Sequence, residues 1–582
     1  MPTFQTYKGN TFFAPVTIID VQNELVAPSA LGKSLAIFGD FPELESGKVY
    51  TSVKGGSSLA ELYPNVAKIR NYDKLWRLSL SGIDNFSDSL SLINCGTSAQ
   101  AAVTVDDSEF KARYYGTKGN QARVRIETPS TGTTDPAGIG LSATTKFYRV
   151  RASAPGFPLS SQEFGYPNQL KVVYTDDSAQ DQDATIVIAS GSMVITTSAG
   201  STTIDLSELG GMNDLQQVIE STDSRFAATV LNYDVKPEEL DELTATFNDD
   251  TAANTPVEVV FHAHVKALEE GLERLTTFPV KLELGDDRYR PLTATAGNAD
   301  AAPLNMLSLT GGTQSDATTA NFRSVLEDGA IIGKDFTSCT IESTTASVHK
   351  LLRDYCNASE GLLKERNAYV AAPSSQTLDA VYNLYVLPLD DSRVSVVAQD
   401  IVYEDYQGNR RVGNTVDMAV LMMCGQGALG AAIPLTNKQP NILDTKESWS
   451  RDLDIHDLAK RSILGIFLNS NNQLSVVRGL TSKASSNLLQ DIEISSKESI
   501  DMNVRDLRAY VSQKLGTTIS NTTLGSLKKL IEERLVLHRT RGIIRDFQNV
   551  SVSISGDTAS ASYEVSLTNP LNFIRINATI LR

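Results

Sequence analysis

The sequence predicts an α/β layered core domain, an inserted β-rich (α+β) protruding domain, and extended strand arms at the N- and C-terminal ends. Three observations predict this fold class. Apolar runs alternate with helical periods after residue 312, short alternating strands and turn clusters fill residues 106–300, and residues 550–582 repeat strand and turn. Strands that alternate with helices pack in layers, whereas short strands between turn clusters indicate a β-rich unit.

The C-terminal pattern is the most regular in the chain. Strict period-two alternation of apolar and polar residues is typical of a half-buried strand. A terminal strand exposes unpaired N–H and C=O groups along its edges, and these can pair with another chain. The sequence therefore predicts a protein that lends its terminus to a neighbour in an assembly. The alternating apolar residues are Val550, Val552, Ile554, Tyr563, Val565, Leu567, Ile574, Ile576, Ala578 and Ile580.

The length and composition are those of a folded multi-domain protein. The chain has 582 residues, 41% hydrophobic and 21% charged, and this length predicts roughly three to four domains. No apolar run is long enough for a transmembrane helix, and the N-terminus lacks the pattern of a signal peptide. Four scattered cysteines without a CxxC pair favour a reducing compartment over a disulfide framework.

The net charge of −17 argues against nucleic acid as a partner, because binding to phosphates needs a basic surface. Residues 503–548 are the local exception, with nine Lys or Arg against four acids. One interpretation of this segment is a solvated helix face. The alternative interpretation is a basic surface that docks an acidic partner.

The predicted elements follow the same organisation. We expect strands near 31–40, 170–174, 185–188, 192–196, 368–372, 394–397 and 474–478. We expect helices near 57–78, 257–275, 319–327, 347–355, 377–385, 451–468, 499–515 and 524–541. The last two helices are amphipathic and close the core. The predicted boundaries are 1–22 for the N-terminal arm, 23–105 and 301–545 for the core, 106–300 for the insertion, and 546–582 for the C-terminal hairpin and donated strand.

Two glycine-rich stretches resemble nucleotide-binding motifs, but the residues in and after them do not fit a nucleotide site. Residues 425–430, GQGALG, match G-x-G-x-x-G, yet a loop with Pro434 follows where a dinucleotide site needs a helix. Residues 329–335, GAIIGKD, are one residue short of a P-loop and carry Asp335 where Ser or Thr must hold Mg²⁺. Close packing of small residues is the simpler explanation of the first stretch, and we expect no cofactor.

No pattern indicates catalysis or a metal. His262 and His264 would share a face on a strand, but no third His or Cys stands near them, so paired surface or core histidines are the simpler interpretation. The sequence has no nucleophile elbow, HExxH or paired-carboxylate motif. We therefore expect no enzyme. A hydrolase of cell-wall glycan, with its site in 106–300, is the alternative in that class.

Three segments together resemble the contractile tail sheath proteins of myoviruses and related phage-like particles. Residues 110–120 are similar to the family's A-x-Y-x-G-x-x-G-N motif at the start of its outer domain, through Ala112, Tyr114, Gly116, Gly119 and Asn120. Residues 307–312, LSLTGG, resemble the return to the core, although Gln-Ser at 314–315 replaces the usual Asp-Gly. Residues 476–482, VVRGLTS, resemble the family's late strand and turn. The resemblance spans nearly the whole chain and is weakest across 130–300.

The resemblance implies a non-enzymatic protomer of a contractile tail sheath. It implies stacked hexameric rings around a tail tube, contraction that drives the tube through the host envelope, and arms that add strands to neighbouring subunits. It also implies tube, baseplate and tail terminator proteins as partners, no direct nucleic acid contact or membrane insertion, and a virion component assembled in the bacterial cytoplasm. Another virion component, such as a trimeric fibre or adhesin, is the alternative.

Two sets of residues carry these implied roles. The inter-subunit strand arms are Val16, Thr17, Ile18 and Ile19 at the N-terminus, with Ile574, Ile576, Ala578 and Ile580 at the C-terminus. The candidate tube-facing basic residues are Lys528, Lys529, Arg534, Arg539 and Arg541. The resemblance assigns residues 550–567 to a hairpin of the subunit's own sheet, and residues 573–581 to the strand that is donated.

Overall fold

The computed structural model describes residues 5–7, 10–12, 34–53, 89–131, 146–154, 157–164, 169–175, 183–247, 256–275, 278–286, 288–293, 306–404, 409–446, 452–469, 473–512, 521–555 and 558–568. The strand predicted at 16–19, the helix predicted at 57–78 and the donated strand predicted at 573–581 lie outside the described residues.

The strands up to residue 205 are β1 (Gln5–Tyr7), β2 (Asn10–Phe12), β3 (Ser34–Gly39), β4 (Val49–Val53), β5 (Ser89–Asn94), β6 (Thr97–Ser98), β7 (Gln100–Val105), β8 (Ser108–Tyr115), β9 (Arg123–Thr131), β10 (Lys146–Ala154), β11 (Phe157–Phe164), β12 (Leu170–Tyr174), β13 (Ala184–Ala189), β14 (Ser192–Thr197) and β15 (Gly200–Asp205). The later strands are β16 (Phe226–Val230), β17 (Leu243–Phe247), β18 (Val257–Phe261), β19 (Val280–Glu283), β20 (Leu307–Ser308), β21 (Gln314–Ser315), β22 (Ser338–Ile341), β23 (Asn367–Ala371), β24 (Val394–Val397), β25 (Ile401–Glu404), β26 (Arg410–Gly413), β27 (Asp444–Thr445), β28 (Ile466–Leu468), β29 (Leu474–Val476), β30 (Ile544–Ser555) and β31 (Thr558–Leu567).

The helices are α1 (Met212–Thr222), α2 (His264–Arg274), α3 (Thr319–Leu326), α4 (Gly329–Ile332), α5 (Ala346–Gly361), α6 (Leu378–Val381), α7 (Leu387–Leu389), α8 (Thr415–Leu429), α9 (Asp452–Lys460), α10 (Leu489–Ile492), α11 (Ile494–Val511) and α12 (Asn521–Thr540). Short 3-10 turns and a π-helical turn also occur in the described part of the chain.

A six-stranded sheet forms the centre of the core, in the order β24-β23-β22-β3-β5-β4. Its strands run parallel except β4, which is antiparallel to β5. The apolar runs of β3, β22, β23 and β24 are buried on both faces, as parallel strands covered by helices require. The predicted strands at 31–40, 368–372 and 394–397 are confirmed.

Helices cover both faces of this sheet. On one face, α8 is apolar around its whole circumference and packs with Leu35, Ile37 and Tyr369. On the other face, α3 and α5 bury Phe322, Leu352 and their neighbours against the sheet. The helices predicted at 319–327 and 347–355 are thus confirmed. The mixed α/β architecture predicted from the sequence is present.

The described residues from β7 to β20 build a β-rich region with two hydrophobic clusters. One cluster is enclosed by the sheets β11-β10-β9-β20 and β19-β8-β7 together with α2. The other is enclosed by the sheets β16-β12-β18 and β15-β14-β13-β17 together with α1. The strands predicted at 170–174, 185–188 and 192–196 are confirmed as β12, β13 and β14.

The single helix expected at 257–275 is wrong in its first part. Residues Val257–Phe261 form strand β18, which pairs antiparallel with β12, and α2 begins only at His264. The carboxylate of Asp241 accepts hydrogen bonds from the backbone N–H groups of His264 and Val265, both at 3.0 Å. These bonds satisfy the first turn of α2 and place its start after the strand.

The helix expected at 451–468 is also too long. Helix α9 ends at Lys460, Ser462 adopts a φ of 54°, and Ile466–Leu468 pairs antiparallel with β29. The positive φ turns the chain out of the helix so that β28 can begin. The helix expected at 377–385 consists of α6 and a π-helical turn at Tyr382–Val386.

The two crossings between the core and the insertion are tied to each other. The Nδ2 of Asn120 donates to the carbonyl of Gly312 at 2.9 Å, and the N–H of Gly312 donates to Oδ1 of Asn120 at 2.8 Å. Gly116 has a φ of 83°, where a side chain would be strained. A Cβ at Gly312 would lie 2.6 Å from the carbonyl oxygen of Gly116. Two of the glycine segments singled out in the sequence therefore meet at this junction.

Replacing Gly312 by Ala should destabilise the junction by about 1–3 kcal/mol, because the added methyl overlaps backbone atoms that cannot move independently. Gly329→Ala is the matched control, since a Cβ there has no atom within 4 Å. Denaturant unfolding of both variants measures the difference. Equal unfolding midpoints for the two variants would contradict the close approach.

His349 should make the core sensitive to acid. Its ring is fully buried and its Nε2 donates to the carbonyl of Ser343 at 2.8 Å. Burial disfavours the charged ring and lowers the pKa of His349 from 6.5 to about 4. Because the folded pKa is the lower one, the stability from neutral His349 is complete above pH 6.5 and is lost as the pH falls towards 4.

The expected loss from this one group is about 3 kcal/mol between these pH values. His349→Gln keeps a donor for Ser343 and removes the titration. The difference in unfolding free energy between wild type and this variant, measured at pH 7.5 and again near pH 4.5, isolates the contribution of His349. Parallel pH profiles for the two proteins would show that His349 does not titrate as described.

Candidate assembly surface

The C-terminal helices and hairpin form a compact unit with its own hydrophobic cluster. Leu527, Ile531 and Leu535 repeat every four residues along α12 and are buried. They pack with Leu507 of α11 and with Ile544 at the start of the hairpin β30–β31. We call α12 and this hairpin the C-terminal module. It rests on α11, which joins it to the core.

The hairpin presents one face to the helices and the other to solvent. Val550 and Val552 are half-buried against the cluster, whereas Ser551 between them and Ser553 after them are exposed. Tyr563 and Val565 show the same alternation on β31. The half-buried strands predicted from period-two spacing are confirmed in this hairpin. Among the described residues its sheet contains two strands, so each strand has one edge without a strand partner.

A buried polar network links the three parts of this region. His538 of α12 is fully buried, and its Nε2 donates to Asp506 of α11, which also binds Arg534. Asn503 of α11 donates from Nδ2 to Nδ1 of His538 at 2.7 Å. The hydroxyl of Tyr563 on β31 donates to Oδ1 of Asn503 at 2.9 Å. Helix α11, helix α12 and the hairpin therefore share one chain of hydrogen bonds.

The charge balance of this network favours an ionised Asp506. Burial of its carboxyl would raise the pKa, but hydrogen bonds from His538 and Arg534 outweigh burial and hold the pKa of Asp506 below its usual value. The guanidinium of Arg534 also lies over the ring of Tyr510, 5.0 Å from its centroid. The carboxylate of Asp506 is thus buried, and its oxygens accept hydrogen bonds from Arg534 and His538.

Helix α11 docks on the core mainly through polar contacts. Nine of its residues are buried, and seven of these are polar. Arg393, at the start of β24, is almost fully buried and donates to both carboxylate oxygens of Asp501, at 2.6 and 3.1 Å. Further contacts are Gln426 to Glu498 at 3.1 Å, Arg478 to Glu493 at 2.6 Å, Arg508 to Glu365 at 2.6 Å, and Arg505 to Asp335.

Sequence reasoning did not find this interface. An amphipathic helix usually turns its acids and serines to water. In α11 residues of both types are buried, and Asp501 meets Arg393 of the core. The one signal in the sequence is the excess of basic residues near acids in 503–548. Two of those residues, Arg505 and Arg508, pair with core carboxylates and do not form a free basic face.

The five candidate tube-facing residues lie in different environments. Lys528 and Lys529 are exposed, with side-chain exposures of 49% and 77%, and each lies 3.7 Å from a glutamate one turn later. Arg539 is half-exposed beside Asp546 at 3.3 Å, and Arg541 is partly exposed. Arg534 points into the network with Asp506. The exposed members are thus Lys528, Lys529, Arg539 and Arg541, and their role stays a prediction.

The arm residues lie outside the described part of the chain. This applies to Val16, Thr17, Ile18 and Ile19, and to Ile574, Ile576, Ala578 and Ile580. The described hairpin ends at Leu567, and the predicted donated strand begins at residue 573. The exchange of these strands therefore stays a prediction.

The structure shows where the two glycine-rich stretches and the pair of histidines lie. Gly425 and Gly427 lie within the buried helix α8, and Gly329 opens the short helix α4, so neither stretch forms a phosphate-binding loop. The rings of His262 and His264 stack at 4.6 Å with an interplanar angle of 18°. Within the described ranges, no three His, Cys, Asp or Glu residues are grouped to hold a metal ion. None of the described helices has the length and apolarity of a membrane span.

Comparison with solved structures gives matches over nearly the whole chain. A sheath tail protein from Desulfitobacterium hafniense is 12% identical, with 92% of this chain and 96% of that chain covered and a TM-score of 0.50. A sheath tail protein from Listeria innocua is 10% identical, with 92% and 94% covered and a TM-score of 0.51. No protein-family model matches the sequence, and no curated protein is significantly similar to it. The chain therefore has the fold of these sheath tail proteins, as the three sequence segments predicted.

The ion pair between Arg393 and Asp501 should be essential for docking α11. Arg393→Met leaves the carboxylate of Asp501 buried without its partner, which should cost about 3–5 kcal/mol. The double variant Arg393→Met, Asp501→Leu should recover much of this loss, because no buried charge is left unpaired. Glu360, the other partner of Arg393, is half-exposed and remains solvated. Hydrogen exchange of the α11 amides reports the loss locally.

Lys529→Met serves as the control for this experiment. The pair of Lys529 with Glu533 is exposed and should contribute less than about 1 kcal/mol. Protection of α11 that is equal in Arg393→Met and Lys529→Met would refute a structural role for the buried pair.

Proposed function

We propose that a chain with this sheath fold is the structural protomer of a contractile tail sheath. Copies stack as hexameric rings around a tail tube, and contraction of the sheath drives the tube through the host envelope. The observation that carries the proposal is the fold likeness, which spans 92% of this chain and nearly all of two sheath tail proteins. In this proposal the work comes from changed contacts between subunits, without an enzymatic step.

The proposed division into a core and a protruding domain follows from the order of the strands in the six-stranded sheet. Residues 23–105 and 301–545 form the layered core, and residues 106–300 form a protruding domain on it. This division is supported by the six-stranded sheet, since β3 and β5 precede the insertion and β22, β23 and β24 follow it. The clamp between Asn120 and Gly312 holds the two crossings together, so that the insertion moves with the core as one body.

The hairpin β30–β31 is the proposed receptor for strands of neighbouring copies. Two strands alone make a marginal sheet, and each described strand has a free edge. The N-terminal residues 16–19 and the C-terminal residues 573–581 of other copies extend this sheet. Main-chain hydrogen bonds supply affinity, and alternate apolar side chains set the register. Contacts of this kind do not close on themselves and generate a helical assembly.

The exposed basic residues of the C-terminal module are the proposed contact with the tail tube. Lys528, Lys529 and Arg539 are accessible and Arg541 is partly exposed, whereas Arg534 binds Asp506 in the interior. Exposed ion pairs are weak and screened by salt, which suits a sheath that must slide along its tube. Baseplate and tail terminator proteins are the other partners of such a particle, which is assembled in the bacterial cytoplasm.

Removing residues 570–582 should leave a folded, soluble monomer that no longer forms tubes, because the donated strand is missing. Ile576→Lys should have the same effect, since this residue lies on the apolar face of the predicted strand. Asn577→Lys is the matched control on the opposite face and should still assemble. Negative-stain electron microscopy of the purified proteins checks for striated hollow cylinders.

The outcomes separate the alternatives. Tubes from the truncated chain would refute strand donation by the C-terminus. Discrete trimers from the wild-type chain, without tubes at any concentration, would favour the fibre or adhesin interpretation. Equal assembly of Ile576→Lys and Asn577→Lys would show that the strand has no buried face.

A further inference from the structure

The amide of Asn503 connects the hairpin to both C-terminal helices. Asn503 is buried on α11, and both the nitrogen and the oxygen of its side-chain amide form hydrogen bonds. Its Nδ2 donates to His538 of α12 at 2.7 Å, and its Oδ1 accepts from the hydroxyl of Tyr563 on β31 at 2.9 Å. A buried amide that bridges two elements cannot satisfy both partners if either element shifts by an ångström or so.

The direction of each hydrogen bond follows from this arrangement. A phenol that donates to Oδ1 leaves the NH₂ group of Asn503 facing Nδ1 of His538, which must then accept. His538 therefore carries its proton on Nε2 and donates it to Asp506, and Arg534 holds the same carboxylate. The chain of donors runs from Tyr563 through Asn503 and His538 to Asp506. Such chains are worth more together than their separate bonds.

Apolar packing alone does not fix the hairpin's orientation. Val550, Val552 and Val565 are half-buried against the helices, and apolar contacts are non-directional. A twisted two-stranded ribbon can slide or tilt on such a surface at little cost. The hydrogen bond between Tyr563 and Asn503 is directional and ties β31 to the helix that docks on the core.

We propose that Asn503 is a positioning residue that holds the free edges of β30 and β31 in the orientation needed to pair with strands of other copies. This inference rests on the proposed function, because it assumes that the hairpin receives those strands. Strand pairing needs a row of hydrogen bonds in register. If the hairpin tilts, it must be reoriented before a strand of another copy can pair with it. The cost of that reorientation weakens the binding of each added subunit.

Tyr563→Phe is the sharpest test, because it removes one hydroxyl and keeps the ring. The concentration above which tubes form, measured by sedimentation, should rise about fivefold, the equivalent of one hydrogen bond. Hydrogen exchange of the unassembled chain should be faster in β30 and β31 and unchanged in β22 and β23. Tyr510→Phe is the matched control, since this tyrosine lies on α11 and contacts Arg534 through its ring. It should leave both measurements at wild-type values.

A double-mutant cycle tests whether Asn503 acts through Tyr563. Asn503→Ala should raise the threshold concentration at least as much as Tyr563→Phe, and the double variant should add nothing to Asn503→Ala. Additive effects, or wild-type assembly of Tyr563→Phe, would overturn the inference while leaving the sheath proposal intact. Unchanged exchange of the hairpin in Tyr563→Phe would overturn it even without assembly data. Failure of the wild-type chain to form tubes would count against the proposed function itself.

Discussion

The parallel pairing of β3 with β22 is the constraint on which the rest of the structure depends. It joins residues that are 303 positions apart in the chain, as the contact of Thr337 with Ser34 shows. A parallel strand buried on both faces needs helices on each side, and α8 and α5 supply them. The whole insertion must therefore leave and return at neighbouring points, where Asn120 and Gly312 bind each other.

The second organising feature is the polar interior of α11. Charged groups cost free energy when they leave water, so the helix is stable in place only while its acids meet Arg393, Arg478 and their neighbours. Such an interface is specific in orientation, because ion pairs and amide bonds tolerate small displacements poorly. It transmits the position of the core to the C-terminal module, and through Asn503 to the hairpin. The core and the hairpin are thereby connected through hydrogen bonds.

Local sequence patterns predicted most of the helices and strands in which buried residues recur at a regular spacing. The apolar runs of the sheet, the alternation in β30 and β31 and the stripe of Leu527, Ile531 and Leu535 all follow directly from spacing. The patterns misled where a strand and a helix share one apolar stretch, as at Val257–Phe261, or where a single positive φ ends a helix, as at Ser462. They also could not separate Arg534 from Lys528, because both lie on one helix and only the buried Asp506 distinguishes them.

By itself the sequence determined the mixed α/β class of architecture and the alternating strands of the C-terminal hairpin. It did so because hydrophobic period, turn residues and glycine spacing are local properties of the chain. Only the tertiary structure decided which charges are buried, that Asn503 joins three elements, and that residues 425–429 of the GQGALG stretch form the end of a helix. These features depend on which distant residue occupies the facing position, such as Arg393 opposite Asp501, and no local period encodes that partner.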